Sequence, residues 1–599
     1  MTIDHRIMLM KELESWHKDY NAELHMVRRP FSSPGYHTTL KGVTHTHPTL
    51  AACIYALALL DTGEEAYAER ASDILQKVIG LQDQNRDHAT FGIWSWFMEE
   101  PLTMMSPPDW NWADFCGKRL VLAEQRHGER LSPALREQIR NAVYCACDAI
   151  IKRNVGPGYT NIAIMGAFVT LIAGEVYGEE RYVDYGLERL RKFSDYTREL
   201  GTFQEFNSPT YTVVAIQELS SIHTSTQLPE AKRLSADMLD VAWRMIAEHY
   251  HAPTGQWSGP HSRSYSTVMT DSVRSFLQMA CGDAVSLQPE DSMTYSLDWY
   301  GNDIQCPPAY RAAFHDTQGG EYRQVIHRAA DGRAVNTATT YKDERVSLGT
   351  FSKDVMWNQR RNLLAYVPNG DSFSYIHLRF LHDGYDYSSA VFSCRQEGAD
   401  ALFGIGFCTD GGDTHIGLDP IDGTLEAADL RLRFEIGGRL EGVEARLAEE
   451  AGAIRVSLDG GALAMQAEVL FAAFDGETPR WEIARDGEKL NVDYVVYAGE
   501  AKQFDFRSLQ EALLVLAFRL DGGEGAALEA SADRIAAGSS AAGEAVTEAS
   551  SAVDGSGTLA EETAEADGPQ VHAAYRTAGG SVLTLTLPLK PAAKQQMLR

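Results

Sequence analysis

Apolar residues recur at helical spacing through the first half of the chain. Between about residues 50 and 287, segments such as TLAACIYALALL and ALREQIRNAVYCACDAIIKRN place apolar side chains three or four positions apart, which predicts amphipathic helices. Two connections share the sequence Gly-Glu-Glu-x-Tyr, beginning at Gly63 and Gly178. A glycine that ends one helix, followed by acids in the first turn of the next, favours a helical hairpin. Repeated hairpins predict an α/α array or a toroid.

The periodicity changes after about Pro307. Later segments such as LRLRFEIGG, AIRVSLDGG and SVLTLTLPL alternate apolar with polar residues, which predicts antiparallel strands packed as a sandwich. The predicted fold class is therefore multidomain α+β, with an N-terminal incomplete (α/α) toroid at residues 1–300 and a C-terminal antiparallel β-sandwich at residues 301–599. Between residues 521 and 568 the chain is mostly Ala, Gly, Ser and Glu, and we expect a mobile low-complexity insertion there.

Length and charge narrow the possible partners. The chain has 599 residues and 44% hydrophobic content, enough apolar surface for more than one core. Acidic residues outnumber basic ones by 83 to 54, giving a formal net charge of -29, and no Lys/Arg cluster offers a footprint for nucleic acid. The first residues carry charges among their apolar positions, and no run suits a signal peptide or a membrane span. We therefore expect a cytoplasmic protein with neither nucleic acid nor membrane as partner.

The spacing of the cysteines and histidines matches no known metal-binding motif. The eight cysteines are scattered, and Cys145 and Cys147 have the wrong spacing for a CxxC motif, so we expect buried thiols. His45 and His47 precede a predicted helix at a spacing compatible with metal ligation, but no HExxH motif or matched acid follows. A pair of loop histidines is the alternative. We predict no cofactor and no metal, retain His47 as a substrate-binding candidate, and leave the oligomeric state open.

One segment, FGIWSWFMEEPLTMMSPPDWNWADF, combines aromatic rings with acids and amides. Sugar C–H faces stack on aromatic rings while sugar hydroxyls bond to planar polar groups, so this composition suits a carbohydrate site. The alternative is ordinary packing of two helices across a Pro-Pro turn. The substrate-binding candidates in this segment are Trp94, Trp96, Trp110 and Trp112.

Two further segments place polar groups at predicted helix starts. Asn161 begins a strongly apolar helix in GPGYTNIAIMGAFVTLIAG, where it or Thr160 could instead simply cap that helix. Fifty residues later, QEFNSPTYT carries Tyr211 and holds more polar groups than a helix connection needs. Glu205 and Asn207 in this loop are candidates for binding substrate hydroxyls or for orienting the phenol.

The segment SGPHSRSYSTVMTDS contains His261, Arg263 and Tyr265. Pro260 favours an extended chain, so these alternate residues are expected to project to the same side. A histidine, a guanidinium and a phenol together suit binding of a carboxylate and proton transfer beside it. The alternative is an arginine that bridges surface acids, with the other two side chains packed nearby.

Taken together, these features resemble the heparinase II/III-type polysaccharide lyases and the related oligoalginate lyases. The resemblance rests on the helical first half, the strand-rich second half, Asn161 at the head of an apolar helix, and the Pro-x-Tyr loop that ends in Tyr211. It implies that Asn161 neutralises a substrate carboxylate and that Tyr211 is the catalytic tyrosine. No motif fixes the histidine of such lyases: His261 is nearest in sequence, and His315 and His327 are further options.

The resemblance implies a carbon–oxygen lyase that cleaves an anionic, uronate-containing oligosaccharide by β-elimination. Because we expect a cytoplasmic protein, we expect its substrate to be an imported oligosaccharide. Asn161 and Arg263 would donate to the enolate-like state, and Tyr211 would protonate the leaving oxygen, with His261 or Tyr265 as base or partner. One alternative is a non-catalytic carbohydrate-binding protein. The other is a glycoside hydrolase on an (α/α) toroid, which needs paired carboxylates. The acids available for such a pair are Glu99, Glu100, Asp109, Asp114 and Glu205.

Overall fold

The chain folds into two compact units, which we describe separately. The computed structural model describes residues 4–448, 452–521, 528–535 and 568–599. The first unit comprises Met1–Glu248 and Val268–Phe314, and the second comprises His249–Thr267 and His315–Arg599. Residues 249–267, placed by the sequence in the first domain, therefore belong to the second unit. The domain bounds at 1–300 and 301–599 stay a prediction.

The N-terminal part is helical, as predicted. Its helices are α1 (His5–Asp19), α2 (Thr49–Asp61), α3 (Ala68–Ile79), α4 (Trp112–His127), α5 (Pro133–Arg153), α6 (Thr160–Tyr177), α7 (Glu180–Leu200), α8 (Tyr211–Ser225), α9 (Pro229–His249), α10 (Asp271–Cys281) and α11 (Pro308–Arg311). Four two-residue strands accompany them: β1 (Tyr20–Asn21), β2 (Met26–Val27), β3 (Arg29–Pro30) and β4 (His45–Thr46).

The helices of the first unit pack as successive hairpins. Helix α2 contacts α3, α4 contacts α5, and α6 contacts α7, while α2, α4, α6 and α8 also contact one another in that order. Residues 297–299 also contact α2, and the succession of hairpins agrees with the predicted α/α array. Gly63 and Gly178 end their helices with left-handed φ angles of 75° and 72°, which glycine adopts without strain.

Helix α6 lies at the centre of this array. Every residue from Thr160 to Gly174 is buried, which explains why its sequence is apolar on all sides. Among the described residues it is the helix whose length and composition would suit a membrane span, and 83% of that stretch is buried inside the protein. A buried core helix meets the same criteria.

The second unit consists of antiparallel strands and one short helix. These elements are β5 (Tyr250–His251), β6 (Gln256–Trp257), β7 (Gly320–Arg328), β8 (Ala334–Lys342), β9 (Ser347–Phe351), β10 (Lys353–Val355), β11 (Leu363–Asn369), β12 (Ser372–His382), β13 (Tyr385–Asp386), β14 (Ala390–Glu397), β15 (Asp400–Phe407), β16 (Thr424–Gly438), β17 (Glu444–Leu447), β18 (Ala453–Leu458), β19 (Leu463–Phe474), β20 (Arg480–Asp486), β21 (Lys489–Asp505), β22 (Ala512–Asp521), β23 (Ala530–Ile535), β24 (Gln570–Arg576), β25 (Val582–Pro588) and α12 (Lys594–Met597).

Two large sheets pack face to face in this unit. One has the strand order β10-β14-β15-β22-β19-β18-β17, and the other β20-β21-β16-β12-β11-β9-β8-β7, with β13 paired to β12. Phe434 of the second sheet lies 6.4 Å from Phe403 and 6.0 Å from Phe518 of the first, measured between ring centroids. The alternating pattern therefore predicted the sandwich correctly.

A third, three-stranded sheet has the order β23-β24-β25. Strand β23 lies inside the segment predicted to be a low-complexity insertion, and it pairs along its full length with β24. Backbone pairing with β24 therefore orders these residues despite their composition, and the insertion itself stays a prediction. Most other residues of the segment 521–568 lie outside the described part of the chain.

Candidate functional site

Asn161 lies in the first turn of α6 and is 3% exposed. Tyr159 is the N-cap of this helix and makes no capping bond through its side chain. The Asn161 side chain makes no hydrogen bond to another described residue, and its Oδ1 is buried. An unpaired buried amide costs about 1–3 kcal/mol. Capping, the structural alternative for Asn161, is therefore wrong, and its amide is left for a ligand.

The loop that carries Tyr211 is fixed to this same turn of α6. The backbone N–H of Asn161 donates to Glu205 Oε2 at 3.1 Å, and the backbone N–H of Glu205 donates to Thr160 Oγ1 at 3.2 Å. The Glu205 carboxylate thereby supplies a cap for the helix, at the end where the helix dipole favours negative charge. The two polar segments, 44 residues apart, are thus in direct contact.

Tyr211 is the first residue of α8 and is half-buried. Its backbone N–H donates to Ser208 Oγ at 2.9 Å, and the Ser208 N–H donates to Thr212 Oγ1 at 3.2 Å. Asn207 is fully buried with a left-handed φ of 48°, a conformation that asparagine tolerates. Asn207 thus shapes the turn that holds Tyr211, and its role in binding substrate hydroxyls or orienting the phenol stays a prediction.

The four tryptophans separate into core and half-buried residues. Trp94 is completely buried, and its indole N–H donates to Val78 O at 2.9 Å, so the predicted sugar contact is wrong there and core packing explains the residue. Trp96 and Trp112 are half-buried and stacked, with ring centroids 5.1 Å apart and planes at 28°. Trp110 is also half-buried.

Hydrogen bonds connect the stacked pair to α6. Trp96 Nε1 donates to Asp109 Oδ2 at 3.2 Å, and Asp109 Oδ1 accepts from the Asn111 N–H at 3.0 Å. Asn111 Nδ2 donates to the hydroxyl of Tyr159, the residue before α6, at 3.3 Å. The connected residues, which we call the α6 site, are Trp96, Asp109, Asn111, Trp112, Tyr159, Asn161, Glu205 and Tyr211.

His47 lies beside the tryptophan segment and has an acidic partner. Its Nδ1 is 2.5 Å from Glu99 Oε1, and its backbone N–H donates to Glu99 Oε2 at 3.1 Å. The Met98 N–H donates to His47 O, and the Thr49 N–H donates to Trp96 O, each at 3.0 Å. Its Nε2 is buried and lacks a hydrogen-bond partner among the described residues. The sequence could not show that Glu99 is the partner of His47, because 52 residues separate the two.

Asp114 lies in the first turn of α4 and is 2% exposed. Burial raises the pKa of its carboxyl to about 7, against the opposing effect of Arg189 and Arg153. Its Oδ1 has no hydrogen-bond partner among the described residues. Gly166 of α6 makes room for it, since a Cβ there would lie 2.8 Å from that oxygen. This acid is therefore largely protonated below neutral pH.

The other three predicted catalytic residues lie in the second unit. His261 is buried, and its backbone pairs with that of Arg361 through N–H···O distances of 3.2 and 3.0 Å. Arg263 donates from Nε and Nη2 to Gln359 Oε1, at 3.2 and 3.0 Å. Tyr265 is 59% exposed. The expected one-sided row is wrong, because bends at residues 262 and 263 interrupt the extended segment; the catalytic roles stay predictions.

The remaining candidate ligand groups are dispersed. His315 and His327 are exposed residues of the second unit. Within the part of the chain that the structure describes, no group of three or more His, Cys, Asp or Glu side chains could hold a metal ion. All eight cysteines are free thiols, buried or half-buried as predicted.

Comparisons with known proteins concern mainly the fold. A family described as a domain of unknown function (DUF8769) matches residues 20–302, and no curated protein matches the chain. Heparinase III is a similar solved structure, 12% identical with a TM-score of 0.42, covering 90% of this chain and 82% of that chain. A heparan sulfate lyase from Pedobacter heparinus is 9% identical with a TM-score of 0.36, covering 90% and 81%. A chondroitin AC lyase mutant from Streptomyces coelicolor is 10% identical with a TM-score of 0.30, covering 86% and 96%.

Proposed function

We propose that the protein is a polysaccharide lyase that cleaves a uronate-containing oligosaccharide by β-elimination. The observation that carries the proposal is the place of Asn161 in the first turn of α6, held next to the Tyr211 loop by Glu205, with a side chain that bonds to no described residue and a buried, unpaired Oδ1. Retaining an unpaired amide in a core helix makes physical sense if a ligand supplies its partner. The amide NH₂ can donate to a substrate carboxylate, and the unpaired Oδ1 can accept from a substrate hydroxyl.

The chemistry requires such donors. The proton on C5, next to the carboxylate, is weakly acidic because removing it places a second negative charge beside the first. When a base takes that proton, a C4=C5 double bond forms, the C4–O bond breaks, and the leaving oxygen needs a proton. Asn161 stabilises the enolate-like state by donating to the carboxylate. Tyr211 protonates the leaving oxygen, since a phenol with a pKa near 10 is protonated at neutral pH.

The stacked Trp96–Trp112 pair supports a sugar substrate, because half-buried indole faces bind pyranose rings. We further propose that the protein acts in the cytoplasm on imported oligosaccharides, without a cofactor.

The test is a panel of glucuronate-, guluronate- and galacturonate-containing oligosaccharides, with ultraviolet absorbance and new reducing ends measured in parallel. A lyase produces both signals from at least one substrate, and Tyr211→Phe slows the appearance of both by about 10²–10⁴-fold. Reducing ends without absorbance would indicate a hydrolase. Binding without either signal would indicate a carbohydrate-binding protein.

A further inference from the structure

Arg153 is the exposed last residue of α5, and it contacts the α6 site. Its Nη1 donates to Asn111 Oδ1 at 2.5 Å. Among the described residues no carboxylate forms an ion pair with it. By contrast, Arg119 of α4 pairs with Asp298 at 2.6 Å, and Arg189 donates to backbone carbonyls of α6. Arg153 therefore has no ion-pair partner among the described residues, although its charge also lowers the pKa of the buried Asp114 carboxyl, in a chain whose formal net charge is -29.

Asn111 fixes this guanidinium relative to the tryptophan pair. Its Oδ1 accepts from Arg153, while its Nδ2 donates to Tyr159. The next residue, Trp112, has a buried Nε1–H without a hydrogen-bond partner among the described residues. Two donors, the guanidinium bound to Asn111 and the indole N–H of Trp112, thus come together through adjacent residues of the chain. Donors that lack a charged acceptor and lie near an aromatic pair suit the binding of an oxyanion that is attached to a sugar.

We propose that Arg153 and Trp112 form a subsite for a second oxyanion of the substrate, on the sugar next to the one whose carboxylate binds Asn161. This inference rests on the proposed function for its substrate class, and it adds that the preferred substrate carries acidic groups on neighbouring sugars. The oxyanion is a carboxylate or a sulfate, since both accept two parallel bonds from a guanidinium. The negative total charge does not prevent this binding, because charges beyond about 8 Å are largely screened at physiological ionic strength.

The test is a titration of the full-length protein, followed by tryptophan fluorescence. The probes are a triuronate, the same triuronate as its methyl ester, and a sulfated disaccharide. For Arg153→Gln we expect the Kd for the triuronate to rise about tenfold, the size expected for a charge-assisted hydrogen bond. Esterification should weaken wild-type binding by about ten times more than it weakens binding to Arg153→Gln, because the variant keeps only the carboxylate contact at Asn161. Arg153→Lys, which keeps the charge, should recover part of the loss.

The matched control is Arg140→Gln, an exposed arginine of the same helix that lies 3.9 Å from Glu137; its Kd should equal that of the wild type. Equal Kd values for wild type and Arg153→Gln would overturn the inference. An equal rise in Kd on esterification in the two proteins would also overturn it, as would no binding of any probe at millimolar concentration. Tighter binding of the sulfated probe would identify sulfate as the oxyanion. If the triuronate binds as expected but no ultraviolet absorbance develops, the lyase proposal fails while the subsite stands.

Discussion

Replacing Asp114 with asparagine should stabilise the protein at pH 8 and change little at pH 4. Burial raises the pKa of Asp114 from 3.8 to about 7 in the folded protein, whereas the unfolded chain keeps the ordinary value of about 3.9. The folded state disfavours ionisation of Asp114. Below about pH 4 the carboxyl is protonated in both the folded and the unfolded protein, so Asp114 then causes no loss of stability. As pH rises from 4 towards 7, the unfolded chain ionises more easily than the folded protein, and the free energy of unfolding falls. Above pH 7 the folded protein carries the buried charge, and the free energy of unfolding falls no further.

The pKa of Asp114 rises from 3.8 to about 7 on folding. At about 1.36 kcal/mol per pKa unit, this rise lowers the free energy of unfolding by about 4 kcal/mol at pH 8. Asparagine matches the shape of the protonated acid and carries no charge, so Asp114→Asn removes this penalty. For a unit of this size, about 2 °C per kcal/mol converts the gain to about 8 °C in Tm.

Scanning calorimetry of wild type and variant between pH 4 and pH 8 measures the effect. Asp195→Asn is the control, since Asp195 is exposed on α7 and lies 3.6 Å from Arg198; its difference from wild type should not vary across this range. A constant difference for Asp114→Asn would refute the reasoning. So would a wild type more stable than the variant at pH 8, because Asp114 would then be ionised and stabilised by Arg189.

Two further predictions concern the first unit. Glu205→Gln keeps the shape of the side chain but removes the charge that accepts from the Asn161 N–H. It should lower the free energy of unfolding by about 1–2 kcal/mol and speed amide hydrogen exchange at the start of α6. Unchanged exchange rates would count against this contact. Lys118 and Glu218 form a buried ion pair at 2.6 Å, each about 1% exposed. Lys118→Met alone should cost about 3–5 kcal/mol, measured by denaturant unfolding, because it strands the Glu218 charge, and adding Glu218→Leu should recover most of that loss. Equal losses in the single and double variants would contradict it.

Elements with strong local patterns could be predicted from the sequence. Helix α6 is apolar on every side because neighbouring helices surround it, and the strands of the sandwich alternate because one face of each sheet packs against the other. The same local signal placed Tyr211 at the head of a helix, which the structure confirms.

Features that depend on distant residues could not be predicted. Residues 249–267 join the second unit through contacts such as Thr340 Oγ1 donating to Gly259 O at 2.7 Å, across 81 positions of sequence. Trp94 and Trp96 have equivalent surroundings in the sequence, yet only Trp94 is enclosed by the core. The raised pKa of Asp114 arises from burial against α6, and the sequence presents it as one acid among many.

The central claim is that Asn161 and Tyr211 together perform β-elimination. The most direct measurement is the rate at which an oligouronate gains ultraviolet absorbance with wild type, Tyr211→Phe and Asn161→Ala, each checked for an unchanged fold. We predict absorbance with the wild type, kcat lower by about 10²–10⁴-fold for Tyr211→Phe and by about 10²–10³-fold for Asn161→Ala. New reducing ends without absorbance, or wild-type rates in both variants, would contradict the claim.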